Sequence, residues 1–188
     1  MAQDVQAPAA RSFEACFDEV APAVAAWIPT RLGRALDDPV DPADVLAEVW
    51  LRAREAHERS GPGRAPFRSW IFRVAKNVLL EVSRAAGDAR FRGRAEDVRF
   101  EPARLPAEAV GVGRRHALAQ PVVELLARVE RLSDDDRELL AACGLEGTTL
   151  PEAARRLGLP RVAAERHWNQ LRRRLEEEGV PSVLLGGV

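Results

Sequence analysis

Apolar positions along the chain recur at helical spacing almost throughout, with hardly any alternating, strand-like run. Phe13, Phe17, Val20, Val24 and Trp27 fall four, three, four and three residues apart and predict a first helix with one core-facing stripe. Proline has no amide to donate, so Pro22 is expected to kink this helix and Pro29 to end it. A second helix starts sharply at Asp41-Pro42-Ala43-Asp44. There Asp41 can cap free amides, Pro42 suits the first helical position, and Asp44 favours the positive end of the dipole. Its stripe is Val45, Leu46, Val49, Trp50 and Ala53, and Gly61-Pro62-Gly63 closes the segment. A third helix begins near Pro66, carries Phe67, Trp70, Ile71, Val74, Val78, Leu79 and Val82, and stops about Gly87.

From about Asp88 to Arg115 the apolar residues lose any sustained period while Gly, Pro, Arg and Glu become frequent, which reads as a linker. A second helical block follows. Val122, Leu125, Leu126, Val129 and Leu132 share a face, Ser133 caps a short helix opening on Asp134, Asp135 and Asp136, and Gly144 is expected to terminate it. Thr149 and Glu152 have the spacing of a capping box, and Gly158 permits a tight turn before a long arginine-rich segment from Arg161 to about Glu178. This is the pattern of a helix-turn-helix. In its second helix Ala164, Trp168, Leu171 and Leu175 fall on the buried side. Arg161, Arg166, His167, Asn169, Gln170, Arg172, Arg173 and Arg174 are left facing outward. Those side chains suit a major groove: arginine pairs bidentately with guanine, Asn and Gln with adenine, and further arginines hold phosphate.

The predicted architecture is all-α, with a helical unit over residues 10–88, a flexible linker over 89–115, a helix-turn-helix unit over 116–179 and a tail over 180–188. Composition sharpens the picture mainly through where the charges lie. The formal net charge is only −1, yet residues 4–58 hold eleven acids against five arginines, whereas residues 64–94 hold eight bases against two acids. Residues 155–175 add seven arginines and one acid, Glu165. Such segregation predicts an acidic surface for one partner and two basic surfaces for a polyanion. The early Asp4 and the lack of an apolar leader or of a membrane-spanning run predict a cytoplasmic protein without membrane insertion. The two cysteines, Cys16 and Cys143, form no zinc-ligand pair and are expected to be small buried residues. His57, His116 and His167 are scattered and no phosphate-binding glycine loop is present, so neither an enzyme nor a cofactor or metal site is expected.

The order of these motifs over most of the chain resembles the extracytoplasmic-function (ECF) sigma factors of bacterial RNA polymerase. Asp41-Pro42-Ala43-Asp44-Val45-Leu46-Ala47-Glu48-Val49-Trp50 looks like that family's D-x-x-D-L-x-Q-E-x-F helix, and Phe67-Arg68-Ser69-Trp70-Ile71 through Asn77 looks like its F-R-x-W-L-x-x-I-A-x-N stretch. The resemblance implies that Asp41, Asp44, Val45, Glu48, Val49 and Trp50 dock on core RNA polymerase. It implies that Arg73, Lys76, Asn77 and Arg84 meet the minus-ten promoter element, including its melted single strand. The helix-turn-helix would then read the minus-thirty-five element in double-stranded DNA, at the nucleoid, with an anti-sigma factor as a further partner. Trp70 and Phe72 offer stacking to unpaired bases, with burial the stronger expectation for Trp70.

Some positions depart from the family pattern. Val162-Ala163-Ala164 stands where Gly-Thr-Val is frequent, Glu165 where a base often follows, Ala47 where glutamine is usual, and the basic run around Arg84 is thin. Two other readings stay open. One is a degenerate sigma-like regulator; the other is a conventional helix-turn-helix transcription factor acting without polymerase.

Overall fold

The computed structural model describes residues 11–32, 40–60, 63–85 and 104–186. The described residues are helical, with no strand among them: α1 Phe13–Leu32, α2 Pro42–Ser60, α3 Phe67–Ala85, α4 Ala107–Ala117, α5 Gln120–Val129, α6 Asp134–Leu139, α7 Leu150–Leu157 and α8 Arg161–Glu177. The expected all-α class is thus observed. None of the helices is long and apolar enough to cross a membrane.

Helix α1 does more than carry a single stripe. From Val20 to Ile28 every residue is buried except half-buried Pro22, because the Ala-rich run presents apolar surface on all sides. A helix that is apolar all round must be enclosed. Helices α2, α3, α4 and α5 pack around it, together with the segment after α6. The enclosure also explains why Pro29 does not end the helix, which continues to Leu32. The missing amide removes one hydrogen bond, and burial of Ile28 and Leu32 holds the last turn in place.

The start of α2 follows the sequence reading. Asp41 accepts a hydrogen bond from the Ala43 amide at 2.8 Å and its carbonyl accepts from the amides of Asp44 and Val45. The start of α6 does too, with the Ser133 hydroxyl accepting from the Asp136 amide at 3.2 Å. Gly144, however, does not terminate that helix. The chain widens into a π-helical segment over Leu140–Leu145, closed by the Glu146 amide donating to the Ala141 carbonyl at 2.9 Å. Glycine is required there for packing: an added methyl would lie 3.0–3.1 Å from Leu140, the Leu184 carbonyl and Trp168.

Most of the expected linker, residues 89–103, and the expected helix end at Gly87 lie outside the described residues. Its last stretch is ordered. Residues 107–117 form α4, which lies along α2 with Gly113 against the Ala43 carbonyl and Ala47. The linker reading missed it because its contact face is built from Ala and Gly, which leave no apolar periodicity. The two halves are also not separate in this conformation. One continuous core runs from Phe13 to Leu185, with α1 shared between them. The tail takes part in it, as Leu184 and Leu185 at the end of a 3₁₀ turn are fully buried. Cys143 is buried as expected, whereas Cys16 is half-exposed.

Candidate nucleic-acid and partner surfaces

Helix α7 ends at Gly158, whose φ of +65° is the left-handed conformation that closes a tight turn, and the Leu159 amide donates back to the Ala154 carbonyl at 2.9 Å. The chain then re-enters a helix at Arg161. No capping box forms at the start of α7. The Thr149 side chain makes no cap, and the Glu152 carboxylate turns to Arg156 at 2.8 Å, because a guanidinium one turn away is the stronger partner.

Helix α8 buries Ala164, Leu171 and Leu175 with Trp168 half-buried, as the spacing predicts. Arg161, Arg166, Asn169, Gln170, Arg173 and Arg174 are exposed, and His167 and Arg172 are half-buried. Arg172 is occupied by Glu176 at 2.8 Å, and Arg174 lies 3.9 Å from Asp136. Among the described residues, Arg161, Arg166 and Arg173 enter no ion pair. His167 keeps a buried Nδ1 with no hydrogen-bond partner. Glu165 is exposed beside the basic face.

On α3, Arg73, Asn77 and Arg84 are exposed, and their spacing of four and seven residues aligns them on one side. Lys76 points elsewhere: its Nζ donates to Glu146 at 2.6 Å. Trp70 and Phe72 are core residues. Phe72 meets Trp27 edge to face at 5.7 Å, and Trp70 joins Phe67 at 5.5 Å, so in this conformation neither ring is offered for stacking.

On α2, Asp41 is exposed while Asp44 and Glu48 are half-buried. Glu48 is held by Arg52 at 2.5 Å, which also reaches Glu81 of α3 at 2.5 Å. Val45, Val49 and Trp50 are not an exposed anchor. All three are buried, since they face α1 and its neighbours rather than solvent. The acidic rim of α2 is therefore accessible in part, and its apolar stripe is core.

Among the described residues the most connected polar group is Glu146, which no sequence pattern marks. Its side chain is 2% exposed and follows the π-helical segment. It accepts from Trp27 Nε1 at 2.8 Å, Arg31 at 2.9 Å and Lys76 at 2.6 Å, with Thr148 at 3.4 Å and Arg156 at 3.5 Å. Burial pushes its pKa up, but the hydrogen bonds from Lys76, Trp27 and Arg31 outweigh this and hold it below the ordinary carboxylate value. Arg31 also bridges to Glu138, and Arg68 donates to the carbonyls of Gly144 and Leu145. A second crossing joins Asp18 of α1 to buried His116 at 2.9 Å and to Arg115 at 3.1 Å. A solitary glutamate after an apolar run carries no periodic signal, so only the fold reveals these partners. Among the described residues, no group of three or more His, Cys, Asp or Glu is placed to hold a metal ion.

The chain is similar to known proteins. A profile described as Sigma-70 region 2 matches residues 16–88, and one described as ECF sigma factor matches residues 73–180, more than half of the chain. The ECF RNA polymerase sigma factor SigE of Mycolicibacterium smegmatis is 25% identical over 119 residues, which is 63% of this chain and 44% of that protein. The RNA polymerase sigma factor NccH of Alcaligenes xylosoxydans xylosoxydans is 26% identical over 125 residues, 66% of each chain. In both cases a third or more of the relative's own length lies outside the match. No solved structure matches the chain significantly.

Proposed function

The chain belongs to the ECF sigma factor family, and from that premise we propose that it binds core RNA polymerase and directs it to promoters in the cytoplasm, at the nucleoid. The observation that carries this reading is the outer face of α8, where Arg161, Arg166, Asn169, Gln170 and Arg173 are exposed and the three arginines have no carboxylate partner among the described residues. Charged forks and amides on one helix match base edges and phosphates of a major groove. In this reading residues 116–179 contact the minus-thirty-five element through that face, with His167, Arg172 and Arg174 at its margin.

Residues 10–88 are the polymerase-docking and minus-ten unit. The stripe of Arg73, Asn77 and Arg84 steers phosphates and offers Asn77 to unpaired bases, with Lys76 joining once it is released. Asp41, Asp44 and Glu48 present acid to a basic polymerase surface, where complementarity chiefly aids encounter and register. Val45, Val49 and Trp50 act by holding α2 in shape from within. Residues 89–115 connect the units, and in the tail over residues 180–188 it is Val180, Leu184 and Leu185 that complete the core. The partners are core RNA polymerase, double-stranded promoter DNA with its melted minus-ten strand, and an anti-sigma factor.

The test is in-vitro transcription with purified core polymerase on genomic fragments. Defined transcripts that depend on the added chain are the expected result. Polymerase binding without any transcript would instead select a degenerate, occupying regulator, a reading that the exposed Glu165 on the basic face favours. Operator binding with no affinity for polymerase would select a conventional helix-turn-helix regulator.

A further inference from the structure

The junction between the two halves is made by charge as much as by apolar packing. On one side stand Trp27 and Arg31 of α1 with Arg68 and Lys76 of α3; on the other stand Glu138, the carbonyls of Gly144 and Leu145, and Glu146. Two of the basic side chains of α3 are thus consumed by the carboxy-terminal half, while Arg73 and Arg84 face solvent. The grouping around Glu146 has the chemistry of a phosphate site: an anion with two oxygens met by Lys76, two arginines and an indole N–H.

We propose that Glu146 is an internal substitute for a nucleic-acid phosphate, a clasp that keeps α3 and the helix-turn-helix half closed on each other until polymerase and promoter pull them apart. The idea rests on the reading of α3 as a nucleic-acid surface. With the clasp shut, Lys76 cannot reach a phosphate, and Trp27 and Phe72 stay covered. A buried ion cluster suits a reversible junction. Its attraction is largely offset by the cost of drying the charges, so exchange of one anion for another changes little free energy. Opening also uncovers the apolar face of α1, so the closed form is the ground state of the isolated chain, and polymerase binding must supply the difference.

The test uses the full chain with Glu146→Gln, which keeps size and an acceptor for Trp27 but removes the charge. A companion, Glu138→Gln, cuts the other carboxylate of Arg31 at a position 29% exposed, and carries the test if the first variant loses its helical circular dichroism. The expected result is a radius of gyration, by small-angle X-ray scattering, above that of the parent, which should lie near the ~16 Å of one compact body of this length. Core polymerase should then bind the variant ~10-fold or more tightly, because the share of molecules already open has risen. If the parent binds polymerase and both variants keep its radius and its affinity, the clasp is refuted and the proposed function stands. If neither parent nor variants bind polymerase, the function falls and the regulatory clasp falls with it.

Discussion

Two glycines two residues apart on α4 should respond to the same substitution with opposite signs. At Gly113 an added methyl would sit 2.2 Å from the Ala43 carbonyl oxygen and 3.0 Å from Ala47 Cβ and from its amide nitrogen. Ordinary van der Waals contact begins near 3.4 Å, so the two helices would have to part by about an ångström. The obstruction is backbone, which cannot swing aside. Overpacking of this kind costs about 1–3 kcal/mol, and a carbonyl collision belongs at the upper end. Against that, Ala recovers about 0.5–1 kcal/mol of helix propensity, leaving Gly113→Ala less stable by ~2 kcal/mol. At Gly111, which is exposed, a methyl meets nothing within 4 Å. Only the propensity gain remains, so Gly111→Ala should stabilise by ~0.5–1 kcal/mol. Urea unfolding followed by circular dichroism reads both shifts from the midpoint at constant slope. Two variants moving in the same direction would refute the close crossing of α4 on α2, and with it the ordered end of the connecting segment.

Arg166→Ala and Arg173→Ala should each weaken promoter binding by about 1–3 kcal/mol where a base is read, or lower the salt slope by ~1 where a phosphate is held; an unchanged salt titration would contradict the α8 assignment. Acidification should destabilise the chain in two stages. Burial lowers the pKa of His116 beneath its ordinary 6.5, despite its bond to Asp18 and with Arg115 adding to the effect, so the unfolded chain takes up that proton first and stability begins to fall below about that pH. Glu146 lies below its ordinary 4.5, so its stabilisation is full above that value and is lost as pH falls through the folded pKa. Thermal midpoints should decline from neutral pH to pH ~5 through His116 and again from pH ~4.5 to pH ~2.5 through Glu146, and a flat stretch in either window would exclude the corresponding linkage. Burial pushes the Cys143 thiol up to about 11, so alkylation near pH ~8 should modify half-exposed Cys16 and spare Cys143 until denaturant is added; equal rates would contradict this.

Periodicity and capping chemistry are local, and the elements they govern were legible in the residues. The stripes of α2, α3 and α8, the Asp41 and Ser133 caps and the Gly158 turn all depend on neighbours within a few positions. What required the fold is non-local. Val45, Val49 and Trp50 read equally well as a surface anchor or as core until α1 is set against them, and the all-round burial of α1 decides for core. Helix α4 escaped notice because a close crossing needs small residues, and small residues have no hydrophobic signal. Lys76 and Asn77 are adjacent in sequence and alike in polarity, yet successive helical residues point about 100° apart, so one meets Glu146 and the other faces solvent.

The disposition of the arginines supplies an argument that motif matching does not. With 29 acids against 28 bases, the chain has enough carboxylates to pair its cations. Arg31, Arg52 and Arg156 each hold two. Glu165, one turn beyond Arg161, is exposed and enters no ion pair among the described residues, whereas near the carboxy-terminal end of α8 Glu176 takes Arg172 and Glu178 takes Arg128. Carboxylates there oppose the negative end of the helix dipole, while Arg161 lies at the positive end, so both choices work against the isolated helix. Glu165 stands at the four-residue spacing that could relieve Arg161, yet the two do not pair among the described residues. An arrangement locally unfavourable to the fold makes physical sense when its missing counter-charge arrives from outside, and a polyanion laid along Arg161, Arg166 and Arg173, as proposed, would supply it.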